Sequence, residues 1–190
     1  MLGYIRFAGR LSSWFGKMFG WLIVLMTLGT SYEVLVRYAF NAPTPWSLDV
    51  SFIMYGTLFM MGGAYTLSRG GHVRGDFVYR LWRPRVQATV DLVLYILFFF
   101  PGILALVITG WKYSARSWGY GEVSVSSPAG IPIFQFKSVI VAAGLLLLIQ
   151  GIGQVFRCIL CLREGYWRSA EEDVEETDKL LIKQIAEDAL

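Results

Sequence analysis

The sequence predicts an all-α membrane protein. It should have four transmembrane helices, both termini on the cytoplasmic side, and an amphipathic interfacial helix before the first span. Three observations lead there. Four long runs, Met18–Tyr32, Val50–Ser68, Leu92–Trp111 and Ser138–Phe156, contain no charged residue. Each approaches the roughly 20 helical residues that a hydrocarbon core of about 30 Å requires. The composition is 55% hydrophobic and only 16% charged, against about a quarter charged in an ordinary soluble domain. The basic residues are also unevenly placed. Arg6, Arg10 and Lys17 precede the first run, Arg69, Arg74, Arg80, Arg83 and Arg85 follow the second, and Arg157, Arg163, Arg168, Lys179 and Lys183 follow the fourth. Only Arg37, Lys112, Arg116 and Lys137 fall on the other side, so the positive-inside bias puts both termini in the cytoplasm. Runs this long and continuous favour helices over the alternating strands of a barrel.

The elements follow in order. Residues 1–16 form the interfacial segment: Tyr4, Phe7, Leu11, Trp14 and Phe15 recur at helical spacing, with Arg6, Arg10, Ser13 and Lys17 on another face. Residues 17–162 form the transmembrane domain, with spans near 17–38, 46–68, 86–112 and 134–162. The first apolar run is short, but Lys17 can snorkel at one end and Val34–Val36 extend it past Glu33. No small-x-small cleavage site follows it, so it reads as a retained span. Asn41-Ala42-Pro43-Thr44-Pro45 makes a turn, and Trp46 lies at interface depth. After span two, Gly70-Gly71 breaks the chain, Asp76 can cap a short amphipathic segment, and Pro84 can open the third helix, where its missing N–H costs nothing. Pro101-Gly102 predicts a kink inside span three. A Gly-, Ser- and Pro-rich loop separates Lys112 from Lys137, and residues 163–190 form an acidic cytoplasmic tail.

Chemistry-bearing residues are few. Glu33, Arg37, Asp49 and Asp91 are the ionisable groups near membrane depth, where each must be paired, interfacial or functional. Glu33 and Arg37 are one helical turn apart with the acid first, the favourable order for a pair. Arg37 and Asp49 flank the first turn and could meet across the hairpin, while Asp91 is within reach of Arg83 or water. Two functions fit such acids: a proton or ion carrier, or salt bridges that fix helix ends. The only histidine is His72, so two-histidine haem ligation within one chain is ruled out, and no Ser/His/Asp set is expected. Cys158 and Cys161 share a helical face without a second ligand pair and read as inert thiols. No catalytic residue, cofactor or metal is expected, nor an enzyme; the net charge of +3 reflects topology and needs no nucleic acid. Small residues (Gly16 with Gly20, Gly62-Gly63-Ala64, Ala142-Ala143-Gly144 and Gly151) let helices approach closely.

Three stretches carry a family resemblance. They are Glu33-x-x-x-Arg37-Tyr38-x-Phe40 followed by Pro45-Trp46-Ser47-x-Asp49; Gly62-Gly63-Ala64-Tyr65 followed by Arg69-Gly70-Gly71-His72-Val73-Arg74-Gly75-Asp76; and Ser127-Pro128-Ala129-Gly130-Ile131-Pro132 with Lys137. In this order on four spans, the chain resembles the small membrane subunit of tripartite ATP-independent periplasmic (TRAP) transporters over about residues 10–162. Asp49 departs from the glutamate more usual in that family, and the acidic tail is outside its pattern. The resemblance implies a bacterial inner-membrane protein in stable complex with a large, sodium-coupled elevator subunit, whose static scaffold it widens. It also implies transient contact with a periplasmic substrate-binding protein, for uptake of an organic acid. Glu33, Arg37, Trp46, Asp49, Asp91, Arg116 and Lys137 are then candidates for structural or partner contacts. The rival reading is a self-sufficient, proton-coupled small transporter acting as a homodimer, with Glu33 as its coupling carboxylate.

Overall fold

The computed structural model describes residues 1–70, 79 and 81–167. The segment carrying His72, Arg74 and Asp76, and the acidic tail from residue 168 onward, lie outside the described residues. The helices are α1 (Leu2–Gly20), α2 (Leu22–Ala39), α3 (Ser47–Ser68), α4 (Pro84–Leu94), α5 (Phe100–Tyr120) and α6 (Phe134–Glu164). A π-helical turn, Tyr95–Phe99, joins α4 to α5. Four stretches are long and apolar enough to cross a bilayer: Leu2–Ala39, Ser47–Ser68, Pro84–Tyr120 and Phe134–Glu164. The all-helical, four-span architecture expected from the sequence is the one observed.

Helix α6 is the hub. It packs against α1, α3, α4 and α5, whereas α2 packs chiefly on α3. Small residues along α6 explain this centrality. A methyl group at Gly144 would press on Val107 of α5, and one at Gly151 would collide with the Phe99 ring. On another face, Ala143 and Leu146 meet Met61 and Ala64 of α3. Towards the end of α6, Cys158 and Cys161 are buried, unbridged, and packed against Ala88 of α4. Not every predicted small residue works this way: Gly16 seats against Tyr65, but Gly20 and Gly62 face open space.

Polar bonds lock the interfaces that apolar packing alone would leave free to slide. The Gln154 amide donates to the Leu67 carbonyl at 2.8 Å, capping the last turn of α3 from α6. Ser12 of α1 donates to Gln150 at 3.1 Å, and the Tyr4 hydroxyl donates to the Ile149 carbonyl at 3.0 Å. Such bonds between membrane helices average about 0.6 kcal/mol each, but they also fix register.

Two features differ from the sequence expectation. The first concerns α1, which extends to Gly20, beyond the expected interfacial segment. Its buried stripe is Ala8, Gly9, Ser12 and Ser13, while Phe7 and Trp14 are exposed. The large apolar residues that made it look amphipathic are thus divided between packed and open sides. Small residues win the contact because they let α1 approach α6 at Gly153 and α3 at Tyr65. The second is Pro101. Proline has no N–H to donate and its ring crowds the carbonyl four residues back. The helix answers by widening one turn ahead: the Phe100 N–H bonds the Tyr95 carbonyl five residues back. The resulting π-bulge is a recognised way of absorbing such strain. Pro84 does open α4, as expected.

Candidate functional site

One end of the molecule gathers most of the predicted site residues. It comprises the C-terminus of α2, the turn to α3, the N-terminus of α3, the α5–α6 loop and the start of α6. Two buried carboxylates organise it, and each closes a different loop.

Glu33 is only 7% exposed although it lies on the outlying helix α2. One of its oxygens accepts from Arg37 Nε at 3.0 Å and Nη2 at 2.6 Å. The other accepts from the Thr44 backbone N–H at 3.1 Å and from the Thr44 hydroxyl. The carboxylate therefore ties the last turns of α2 to the chain beyond the hairpin. The hairpin itself turns at Asn41, whose φ of 51° lies in the left-handed region that asparagine tolerates better than most residues. Tyr32 and Trp46 stack across the same turn at 6.5 Å between ring centroids. The expected Glu33–Arg37 pair is present.

Asp49 does not meet Arg37. This corrects the expectation of a salt bridge across the hairpin: Arg37 is held on its own helix by Glu33. Asp49 is 3% exposed and accepts from the Ser124 hydroxyl at 2.7 Å and from the Ser127 hydroxyl. It has no cationic partner among the described residues. Its position in the first turn of α3 lets the positive end of the helix dipole favour the charge. The Ser124 oxygen in turn accepts the Ser126 N–H at 3.1 Å, extending the link into the loop backbone.

A third tie holds the other side of that loop. Lys137, 7% exposed in the first turns of α6, donates to Glu122 and sits 4.0 Å over the Tyr113 ring. Glu122 also accepts from Ser117 at 2.7 Å. The bonds to Lys137 and Ser117 hold the Glu122 carboxyl below its ordinary range. Backbone pairing closes the loop: Ser124 N–H to the Ile131 carbonyl at 2.8 Å, and Ile133 N–H to the Glu122 carbonyl at 3.0 Å. The loop is thus a short, clamped hairpin whose turn is held to α3 through Ser127, while Val125 on its first limb is 98% exposed.

The remaining predicted residues are elsewhere or unengaged. Arg116 is exposed on α5 and joins none of these ties. Asp91 lies towards the opposite end, on α4, where the Tyr79 hydroxyl donates to it at 2.8 Å. Together with Leu94, Tyr95, Phe98 and Phe99, it lines an open groove of about 410 Å³. Sequence reasoning missed Thr44, Ser124, Ser127, Ser117 and Tyr113 as partners of the ionised groups. One signal was available, since Ser127 opens the quoted Ser127–Pro132 motif. Among the described residues, no group of three or more His, Cys, Asp and Glu side chains is placed to hold a metal ion.

The quoted stretch with Glu33 and Asp49 and the one opening at Ser127 are far apart in sequence yet converge at this end. Chemically, the cluster positions loops; its ionised groups are occupied by one another or by hydroxyls. A search of curated proteins finds no match to the chain. The family profile for "Tripartite ATP-independent periplasmic transporters, DctQ component" matches residues 26–161, which takes in both carboxylates, the clamped loop and most of α6. The chain therefore belongs to the DctQ component family of tripartite ATP-independent periplasmic transporters.

Proposed function

We propose that this protein is the accessory membrane subunit of its transporter, bound stably to a large subunit that carries sodium coupling and the substrate site. It widens the static scaffold of that subunit and offers its clamped loop as part of the landing surface for a periplasmic substrate-binding protein. In this reading the protein lies in the bacterial inner membrane, with α1 along the cytoplasmic interface and both termini inside. The loop end faces the periplasm, the cargo is an organic acid, and the chain catalyses no reaction. The observation that carries the proposal is that two of the three quoted stretches, the one with Glu33 and Asp49 and the one opening at Ser127, meet at one clamped loop with an exposed residue at Val125. A rim built to hold one shape suits docking, because a preorganised surface loses little freedom on binding.

The rival reading gives Glu33 a coupling role in a homodimer. A coupling carboxylate must exchange protons with its surroundings, whereas Glu33 is bonded through both oxygens to Arg37 and Thr44. That occupancy favours the accessory reading. The decisive experiment is purification of the tagged protein from its native membrane in mild detergent, followed by mass spectrometry and reconstitution. The expected result is a stoichiometric large membrane protein, and uptake only when that partner and a binding protein are both present. A clean homodimer that transports alone, and loses transport on Glu33→Gln, would overturn the proposal. Charge reversal at Arg37 or Arg116 should lower uptake; wild-type uptake and assembly in both would remove them from the docking surface.

A further inference from the structure

Asp49 presents a physical puzzle. It is an acid buried to 3% exposure and held by two serines 75 and 78 residues away, with no cation beside it among the described residues. Burying a carboxylate without a counter-charge is costly, and hydroxyl donors with a helix N-terminus offset only part of that cost. The arrangement contributes little packing energy, but it does fix geometry. Ser124 and Ser127 bracket Val125, the residue that projects fully from the loop. Ser124 passes the constraint on to the Ser126 N–H, and Pro128 and Pro132 stiffen the return limb.

From this geometry we infer that Asp49 is a positioning residue: its carboxylate clasp on Ser124 and Ser127 sets the shape in which the exposed Val125 of the loop meets the binding protein. The inference rests on the docking role proposed above and adds the device that shapes the docking surface. The clasp joins α3, at the turn from the outlying helix α2, to a loop carried by α5 and α6. Val125 is therefore carried by the whole helical body and not by an independent flap.

The test uses the complete transporter complex in nanodiscs and its soluble binding protein. It measures uptake as a function of binding-protein concentration, together with hydrogen exchange of residues 122–133. Three variants are compared with wild type: Asp49→Asn, the double variant Ser124→Ala/Ser127→Ala, and Val125→Asp. In the first two, the binding-protein concentration for half-maximal uptake should rise about tenfold, as expected when a preorganised loop must be ordered on contact. Maximal uptake should stay within about twofold, because the large subunit performs the transport step. The Ser124 and Ser126 amides should exchange faster. Val125→Asp should weaken docking similarly while leaving exchange unchanged. Normal docking in Val125→Asp would mean that Val125 faces lipid or solvent, and would overturn the docking role itself. Weak docking in Val125→Asp with normal docking in the other two would overturn the clasp while docking stands. If Asp49→Asn does not assemble, the double serine variant, which leaves the carboxylate in place, decides the question.

Discussion

Glu33 and Asp49 sit on either side of one hairpin, both are buried, and each ties down a loop, yet their chemistry differs. Glu33 works locally. Its partners Arg37 and Thr44 are four and eleven residues away, and one of them is a guanidinium. Asp49 works at long range through two neutral hydroxyls. A charged partner compensates a buried carboxylate directly, and the side chain of Arg37 keeps 54% of its own surface in contact with the surroundings. Glu33 is thus half of an amphipathic pair at the edge of the protein. Asp49 relies on hydroxyls and the start of a helix, so its environment must be complete. The same residue class serves as a local staple in one place and as a bridge between distant segments in the other.

Removing each acid should expose the contrast. Asp49→Ala leaves the Ser124 and Ser127 hydroxyls without their acceptor and opens a small void where they meet α3. The expected loss is about 2–3 kcal/mol, from two unmade bonds to a charged acceptor, read as a lower midpoint in thermal unfolding of the detergent-solubilised protein. Glu33→Gln should cost less, about 1 kcal/mol, since glutamine retains an acceptor for Thr44 and Arg37 can turn outward to water or lipid headgroups. Arg37→Gln should cost less again, a few tenths to about 1 kcal/mol, in line with exposed ion pairs. An equal or larger effect at Glu33 than at Asp49 would break the comparison: the local pair would then be the main anchor and the bridge a minor one.

This contrast also explains which parts of the structure were legible in the sequence. The spans could be read because hydrocarbon imposes length and polarity on every residue of a run. The Glu33–Arg37 pair was legible because a helix brings residues one turn apart together whatever the rest of the fold does. The partners of Asp49 were not, because they depend on how α3 and the α5–α6 loop are placed by α6. Nearest charge in sequence suggested Arg37, and the helix had already claimed it. The buried stripe of α1 was missed for a related reason. Counting apolar residues finds the face with most hydrocarbon, whereas helix packing selects the face that allows closest approach, here Ala8, Gly9, Ser12 and Ser13. The widened turn before Pro101 was half legible, since proline announces a distortion without stating its form.

The third tie, Glu122 to Lys137, sharpens the comparison from the side of pH. It is intermediate in kind: the acid is in the loop and 40% exposed at its side chain, while the cation is the buried member. Because the folded state holds the Glu122 carboxyl below its ordinary range, the unfolded chain takes up a proton before the folded one does. The contribution of this tie is therefore complete above the ordinary glutamate range, about pH 4.3. It is lost as pH falls through the depressed folded value. The loop should hold its shape at neutral and mildly acidic pH and loosen only below the ordinary glutamate range, read as faster exchange of the Ile133 amide, which bonds the Glu122 carbonyl. Exposure makes the effect small, and Glu122→Gln should flatten the pH dependence without releasing the Asp49 side of the loop. If acidification instead freed Ser124 and Ser126 first, the bridge from α3 would be the weaker of the two ties. The loop would then be held mainly by α6, at its own root.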